Sequence, residues 1–312
     1  MNRVIQKAPF ADALVALGER RKDVVVLSAD LSKYTDVLPF AQKFPNRFIQ
    51  VGMAEQNMMG IAGGLKKAGF LPIAVTYGVF ATRRAYEQVA MALCTGSSPA
   101  IIVAFLPGIT TPFKATHQAT EDLALMRGIP SMTVVDPVDG TELTSALNAA
   151  ANQSGPVYIR GIRGEVEQLF PPENFDFELG KARVLTDGGD VAIISTGLGT
   201  NWALESIEIL EQEQIKSTHL HVPTLKPIDR EAIEAIARRF SRIYVVENHS
   251  VIGGLASAAA SVISEVGIPT KLIPLGIPDL WAPAGSVSYI REQLGLSANA
   301  IAQKIKTQEA NS

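Results

Sequence analysis

Glu55 heads the stretch VGMAEQNMMGIAGGLKKAG (51–69), an acid set among small and apolar residues where a helix should begin. Acids near a helix start are favoured by the dipole and by orphan backbone donors, so capping accounts for Glu55. It does not account for Gly60, Gly63 and Gly64. Each glycine inside a helix costs about 1 kcal/mol against alanine, so three of them so close together predict a backbone that something must approach. Met58, Ile61, Ala62 and Leu65 fall at helical spacing, which makes one face core and sets the glycines beside it. On these residues alone, a cap and a functional carboxylate both stand.

Further residues could do chemistry. FKATHQATED (113–122) lies between an apolar run and a helical pattern, and His117 there is suited to proton transfer near neutral pH. An N-cap neighbourhood of Thr116 and Thr120 with an incidental histidine explains the stretch equally. In YGVFATRRAYEQ (77–88), Phe80, Arg83 and Tyr86 recur every third residue and line one side of a helix start. Core packing is the commoner cause of such a pattern. TGLGTNW (196–202) has Trp202 where a dinucleotide fingerprint needs its last glycine, so it reads as a tight turn. His219 and His221 share one strand face, and with no carboxylate or cysteine nearby in the sequence they read as ordinary strand residues, not zinc ligands. Ser28 and Ser250 have no nucleophile elbow around them.

The elements that must position these groups alternate. DVVVLSAD (23–30), LPIAVTY (71–77), AIIVAF (100–105), SMTVVDP (131–137) and PVYIR (156–160) read as buried strands, with helices at 9–21, 55–68, 80–94 and 140–152. EQLFPPENFDFELG (167–180) breaks the pattern and reads as a linker. A second series follows, with strands at 190–196, 217–222, 242–248 and 270–276 and helices near 201–213, 229–239 and 253–266. The expected fold class is therefore α/β, two domains, each a mainly parallel sheet with helices on both faces.

Composition bounds the function. The chain has 312 residues, 47% of them hydrophobic and 19% charged, enough for two ordinary cores. A net charge of −3 without a basic run argues against nucleic acid or an anionic membrane as partner. No apolar stretch reaches membrane-spanning length, and MNRVIQKAPF lacks a signal core. The single cysteine, Cys94, fits a reducing compartment, so the expected location is cytoplasmic.

Taken together, SADLSKYT (28–35), GMAEQNMMGIAGGL (52–65), YGVFATRRAYEQ (77–88), THQATEDLALMRGIPSMTVVDPVDGTE (116–142), VYIRGIRG (157–164) and VVENHSVIGGLASA (245–258) resemble the C-terminal half of transketolase and the related deoxyxylulose-phosphate synthase. The order and spacing of these stretches cover nearly the whole chain. The resemblance implies a transketolase-like pyrimidine-binding domain at 1–165, a linker at 166–184 and a transketolase C-terminal domain at 185–312. It implies thiamin diphosphate as coenzyme. Glu55 matches the glutamate that hydrogen-bonds N1′ of the aminopyrimidine and shifts it toward its imino tautomer, which removes the thiazolium proton. Phe80 matches the aromatic stacked on that ring, with Arg83 and Tyr86 at neighbouring pocket positions and Asp30 near the thiazolium. His117 matches a catalytic and substrate-binding histidine facing the reacting carbon, and Arg163 an arginine that holds a sugar phosphate. Departures accompany these matches. Phe113 stands where the family carries an aspartate, Tyr34 where it carries a phosphate-contacting serine, and AFLPG lacks a family histidine. They speak against standard pentose phosphate specificity.

The resemblance also implies a missing half. Magnesium in such enzymes is held by a GDG motif and a later asparagine, and this chain has neither; DGGD (187–190) reads as a turn. No metal ligands are expected here, and Mg2+ is expected on a partner subunit carrying the diphosphate-binding domain, in an α2β2 heterotetramer. The activity implied is transfer of a two-carbon glycolaldehyde unit from a ketose phosphate, such as apulose 4-phosphate, to an aldose. The alternatives are the β subunit of a 2-oxo acid dehydrogenase and a non-catalytic regulatory subunit that kept the fold.

Overall fold

Runs such as Val24–Ser28 and Ala100–Phe105 carry no polar face, and in the computed structural model, which describes residues 4–310, they are buried along their whole length. Strands covered by helices on both faces must be so. The chain divides into two compact units, one of residues 4–107 and 125–179 and the other of 108–124 and 180–310.

In the first unit, β1 (Ile5–Lys7), β2 (Val24–Ser28), β3 (Phe48–Gln50), β4 (Leu71–Tyr77), β5 (Ala100–Phe105), β6 (Thr133–Val135), β7 (Pro156–Arg160) and β8 (Glu165–Glu167) follow in chain order. Strands β6-β7-β5-β4-β2-β3 lie side by side, all parallel. The order reverses between β2 and β4, since the chain leaves β2 for β3 on one side and β4 for β5 on the other. Doubly wound sheets bind their ligands beyond the carboxyl ends at such a reversal. β1 and β8 pair antiparallel, so the expected linker is fastened at its start. Asp139 holds the next residues, accepting from the Leu169 and Phe170 amides at 2.8 and 2.7 Å.

The second unit contains β9 (Arg183–Thr186), β10 (Val191–Thr196), β11 (Ser217–His221), β12 (Thr224–Lys226), β13 (Arg242–Ser250) and β14 (Lys271–Ile277). Its sheet runs β14-β13-β10-β11-β9, parallel except for β9. Trp202, Ile207 and Leu210 of the 198–212 helix meet Ile301 and Ile305 of the closing helix over Tyr244 and Leu275. The α/β reading of both halves holds, and DGGD indeed joins β9 to β10 without regular structure.

One element departs from expectation. The helix anticipated over 80–94 is broken into a π-turn at Phe80–Arg84, a short α segment at Tyr86–Gln88 and a second π-turn at Val89–Leu93. Such turns wind wider than an α-helix, change which residues overlap, and often occur at functional sites.

Candidate active site

Three of the residues singled out by sequence follow consecutive positions along one sheet edge. Asp30 comes after β2, Glu55 after β3 and Phe80 after β4, and these strands are neighbours in the order β4-β2-β3. Asp30 sits at φ 60°, the left-handed region that aspartate tolerates better than most residues. Its amide donates to Gln50 Oε1 at 2.7 Å, while Gln50 Nε2 donates to Ser32 Oγ at 3.2 Å, so one side chain ties the loops after β2 and β3 together.

Glu55 opens the helix Glu55–Lys67 and is only 1% exposed. It does not cap its own helix; both carboxylate oxygens face Arg84, whose Nη1 donates to Oε1 at 3.1 Å and to Oε2 at 3.0 Å. The same guanidinium lies 4.0 Å from the centroid of the Phe80 ring. Gln56 Nε2 donates to the Arg84 carbonyl at 3.0 Å, so the first two residues of the EQN motif grip one arginine by side chain and backbone. Sequence reasoning named Arg83 and passed over Arg84. The π-turn is the reason: in its wider winding the residue four positions on comes to lie over the ring that starts it. The doubled arginine was the available signal.

The glycines divide. A Cβ on Gly63 would stand 2.7 Å from the Ala92 Cβ and 2.9 Å from the Ala92 carbonyl oxygen, so this glycine lets its helix pack against the second π-turn. On Gly60 or Gly64 a Cβ would meet nothing within 4 Å. Only that pair leaves backbone open to an approaching group.

Around this centre, the Tyr86 hydroxyl donates to the Leu125 carbonyl at 3.3 Å. Tyr77 packs on Phe80 with ring centroids 5.8 Å apart. Burial pushes the Tyr77 phenol up in pKa, with nearby Arg163 opposing the shift. Arg163, after β7, is exposed and donates from Nη1 to the Tyr34 carbonyl at 2.8 Å. The structure thus brings together two positions that the resemblance assigned to phosphate recognition. Behind Arg163, the buried pair Arg160–Asp136, at 3.2 Å, fixes the end of β7.

His117 belongs to the other unit, in the short helix Lys114–His117. Its Nδ1 lies 3.0 Å from Thr116 Oγ1, and the Phe113 ring packs on it at 5.3 Å. The segment that carries it is docked on β13 and the turn that follows. Asn248 Oδ1 accepts from the Ile109 amide at 3.0 Å, the Ser250 amide donates to the Thr120 carbonyl at 2.7 Å, and the Ala124 amide donates to His249 Nε2 at 3.3 Å. The resemblance assigned VVENHSVIGG no role of its own; its polar residues position the His117 segment. Glu247 beside them caps the 255–266 helix, accepting from the Leu255 and Ala256 amides at 2.7 and 3.1 Å.

The strand histidines are structural. Ser195 Oγ lies 2.7 Å from His219 Nε2, and Thr200 Oγ1 lies 2.7 Å from His221 Nδ1, all within the core. Burial, with His221 adding to it, pushes the His219 pKa down to about 3.

Residues 6–168 match the family model of the transketolase pyrimidine-binding domain, and residues 180–301 that of the transketolase C-terminal domain. The chain belongs to the transketolase family. A transketolase family protein of Sinorhizobium fredii is 44% identical over 301 residues, covering 96% of this chain and 87% of its own. The 6-deoxy-6-sulfo-D-fructose transketolase subunit SqwH of a Clostridium species is 38% identical, covering 94% of this chain and 90% of its own. A solved structure described as a split gene transketolase, inactive beta4 tetramer, superposes with a TM-score of 0.87 at 40% identity and covers 96% of both chains.

Membership of the transketolase family implies dependence on thiamin diphosphate, and the residues present fit its pyrimidine. A flat, donor-bearing guanidinium already rests on Phe80 and reaches the Glu55 oxygens, which are the contacts an aminopyrimidine requires. Magnesium finds no comparable set: among the described residues no group of three or more His, Cys, Asp or Glu side chains could hold a metal ion. No helix among them is long and apolar enough to cross a membrane.

Proposed function

We propose that this chain is the second subunit of a two-component transketolase, transferring a two-carbon ketol unit from a ketose with an anionic terminus to an aldose. Residues 1–165 serve as the pyrimidine-binding domain, 166–184 as connector and 185–312 as the C-terminal domain. One observation carries the reading: a carboxylate only 1% exposed, beyond the carboxyl ends of a parallel sheet, shares a flat cationic group with an aromatic ring.

Bound thiamin diphosphate supplies a carbon nucleophile for the ketose carbonyl and an electron sink while the C2–C3 bond breaks. The chain's own residues bind and orient. Glu55 holds a proton at N1′ of the pyrimidine, Phe80 stacks on that ring, Arg83 and Tyr86 wall it, and Asp30 lies toward the thiazolium. His117 donates to the oxygen where charge develops and moves its proton. Arg163 takes the terminal anion through its guanidinium fork. The relative named for a sulfonated fructose extends the candidates from phosphates, such as apulose 4-phosphate, to sulfonates. Phe113 packed on His117, in place of the family aspartate, supports an unusual donor.

A partner chain with the diphosphate-binding domain brings Mg2+, and the active assembly is a cytoplasmic α2β2 complex. The test is co-expression with such a partner from the neighbouring reading frame, then a panel of ketose phosphates and sulfonates scored by aldose release. Glu55→Gln should lower turnover about 10²–10⁴-fold, the range for a positioned proton-transfer group. Full activity of that variant, or turnover of pyruvate in place of ketoses, sinks the proposal.

A further inference from the structure

Arg84 is doing something in the pocket that the roles above leave unassigned. Its guanidinium occupies the Phe80 face at 4.0 Å and both oxygens of Glu55 at 3.0 and 3.1 Å. A ring lying at stacking distance on that face and hydrogen-bonded to that carboxylate needs the same space. The two occupants exclude each other.

We propose that Arg84 is a seat-holder: it fills the pyrimidine seat while the coenzyme is absent, keeps Glu55 partnered, and swings out when the coenzyme enters. The inference rests on the function proposed above. The side chain is built for the movement. It is 47% exposed while Glu55 is 1% exposed, so the arginine can retreat into solvent and the acid cannot. Its backbone stays fixed, because Gln56 holds the Arg84 carbonyl at 3.0 Å. A lone buried carboxylate is strongly disfavoured, and with a seat-holder Glu55 has a donor in both states: a guanidinium when empty, a pyrimidine when loaded. Lysine could not substitute, since a compact ammonium lacks the flat face that lies on Phe80.

A seat that must be vacated discounts the apparent affinity by the fraction of time it is free. With the seat free about a tenth of the time, removing the arginine tightens binding about tenfold. The experiment is calorimetric titration of thiamin diphosphate with Mg2+ into the complex reconstituted with its partner chain. Arg84→Met should lower Kd about tenfold and Arg84→Lys by less, and the second variant carries the test if the first does not fold. In a Glu55→Gln background the seat-holder has lost its anchor, so adding Arg84→Met should change Kd less than about twofold. A Kd that is unchanged or raised by Arg84→Met in the otherwise native complex makes Arg84 a bystander or a pocket ligand and overturns the proposal. So does an undiminished gain in the Glu55→Gln background. Failure of the native complex to bind thiamin diphosphate at all is a different result, and it overturns the functional reading with this inference.

Discussion

Arg163 shows how a single side chain can be assigned to a substrate end before the substrate is known. It is exposed beyond β7, donates at 2.8 Å to the Tyr34 carbonyl, and lies near enough to Tyr77 to oppose the rise of that phenol's pKa. A guanidinium half-engaged by a backbone oxygen keeps donors for an anion. Charge-assisted hydrogen bonds of this type contribute about 1.5–3 kcal/mol. Arg163→Ala should therefore raise KM for a ketose phosphate roughly 10–100-fold, while a ketose lacking the terminal anion should be turned over with KM unchanged. Equal losses on both substrates would remove Arg163 from anion recognition. At this scale the sequence singled out Glu55 and Phe80, which one guanidinium links in the structure, and Arg163, which meets the Tyr34 carbonyl. It was silent about Arg84, because which of two adjacent arginines covers Phe80 depends on the winding of the turn and not on residue type.

Element packing separates the glycines of the EQN helix from one another. In the 55–67 helix, Gly63 faces Ala92 across a helix–helix contact with no room for a methyl, whereas Gly64 faces open space. Gly63→Ala should destabilise the chain by about 1–3 kcal/mol through overpacking, and Gly64→Ala should stabilise it by about 1 kcal/mol through helix propensity. Urea unfolding of the isolated chain reads both signs; equal effects would mean that the contact with Ala92 is not rigid. Helices and central strands were legible because their apolar periods match what each face buries. The π-turns at Phe80–Arg84 and Val89–Leu93 were not, since an inserted residue leaves the local pattern helical. A capping signal at Asp139 was present and unused: Asp139 Oδ1 accepts from the Glu142 amide at 2.8 Å, and Glu142 Oε2 accepts from the Val138 amide at 2.8 Å. That reciprocal pair makes DGTE a helix start. Docking of the His117 segment through Asn248 and Ser250 was hidden for another reason, since it joins residues far apart in sequence.

For the molecule as a whole, the alternation of strands and helices sufficed to separate two α/β units, but not to assign residues 108–124 to the second. That membership follows from tertiary hydrogen bonds, which no local pattern reports. The core of the second unit makes its own prediction about acid. His219 is fully buried beside Ser195 and His221, and its pKa is held at about 3 by burial first and His221 second. In the unfolded chain a histidine titrates near pH 6.5, about where a free imidazole does. Between these values the unfolded state binds a proton that the folded state refuses, so stability falls as pH drops, by up to about 1.4 kcal/mol per pH unit. His219→Gln removes this titration, whatever it costs in packing at neutral pH. The difference in unfolding free energy between the native chain and the variant should thus shrink steadily in favour of the variant from about pH 6.5 downward. Both tryptophans, Trp202 and Trp281, lie in the second unit, so their fluorescence follows its unfolding directly. A difference that stays constant between about pH 7 and pH 5 would mean that His219 gains its proton while folded, and that the buried Ser195–His219 contact opens before the unit does.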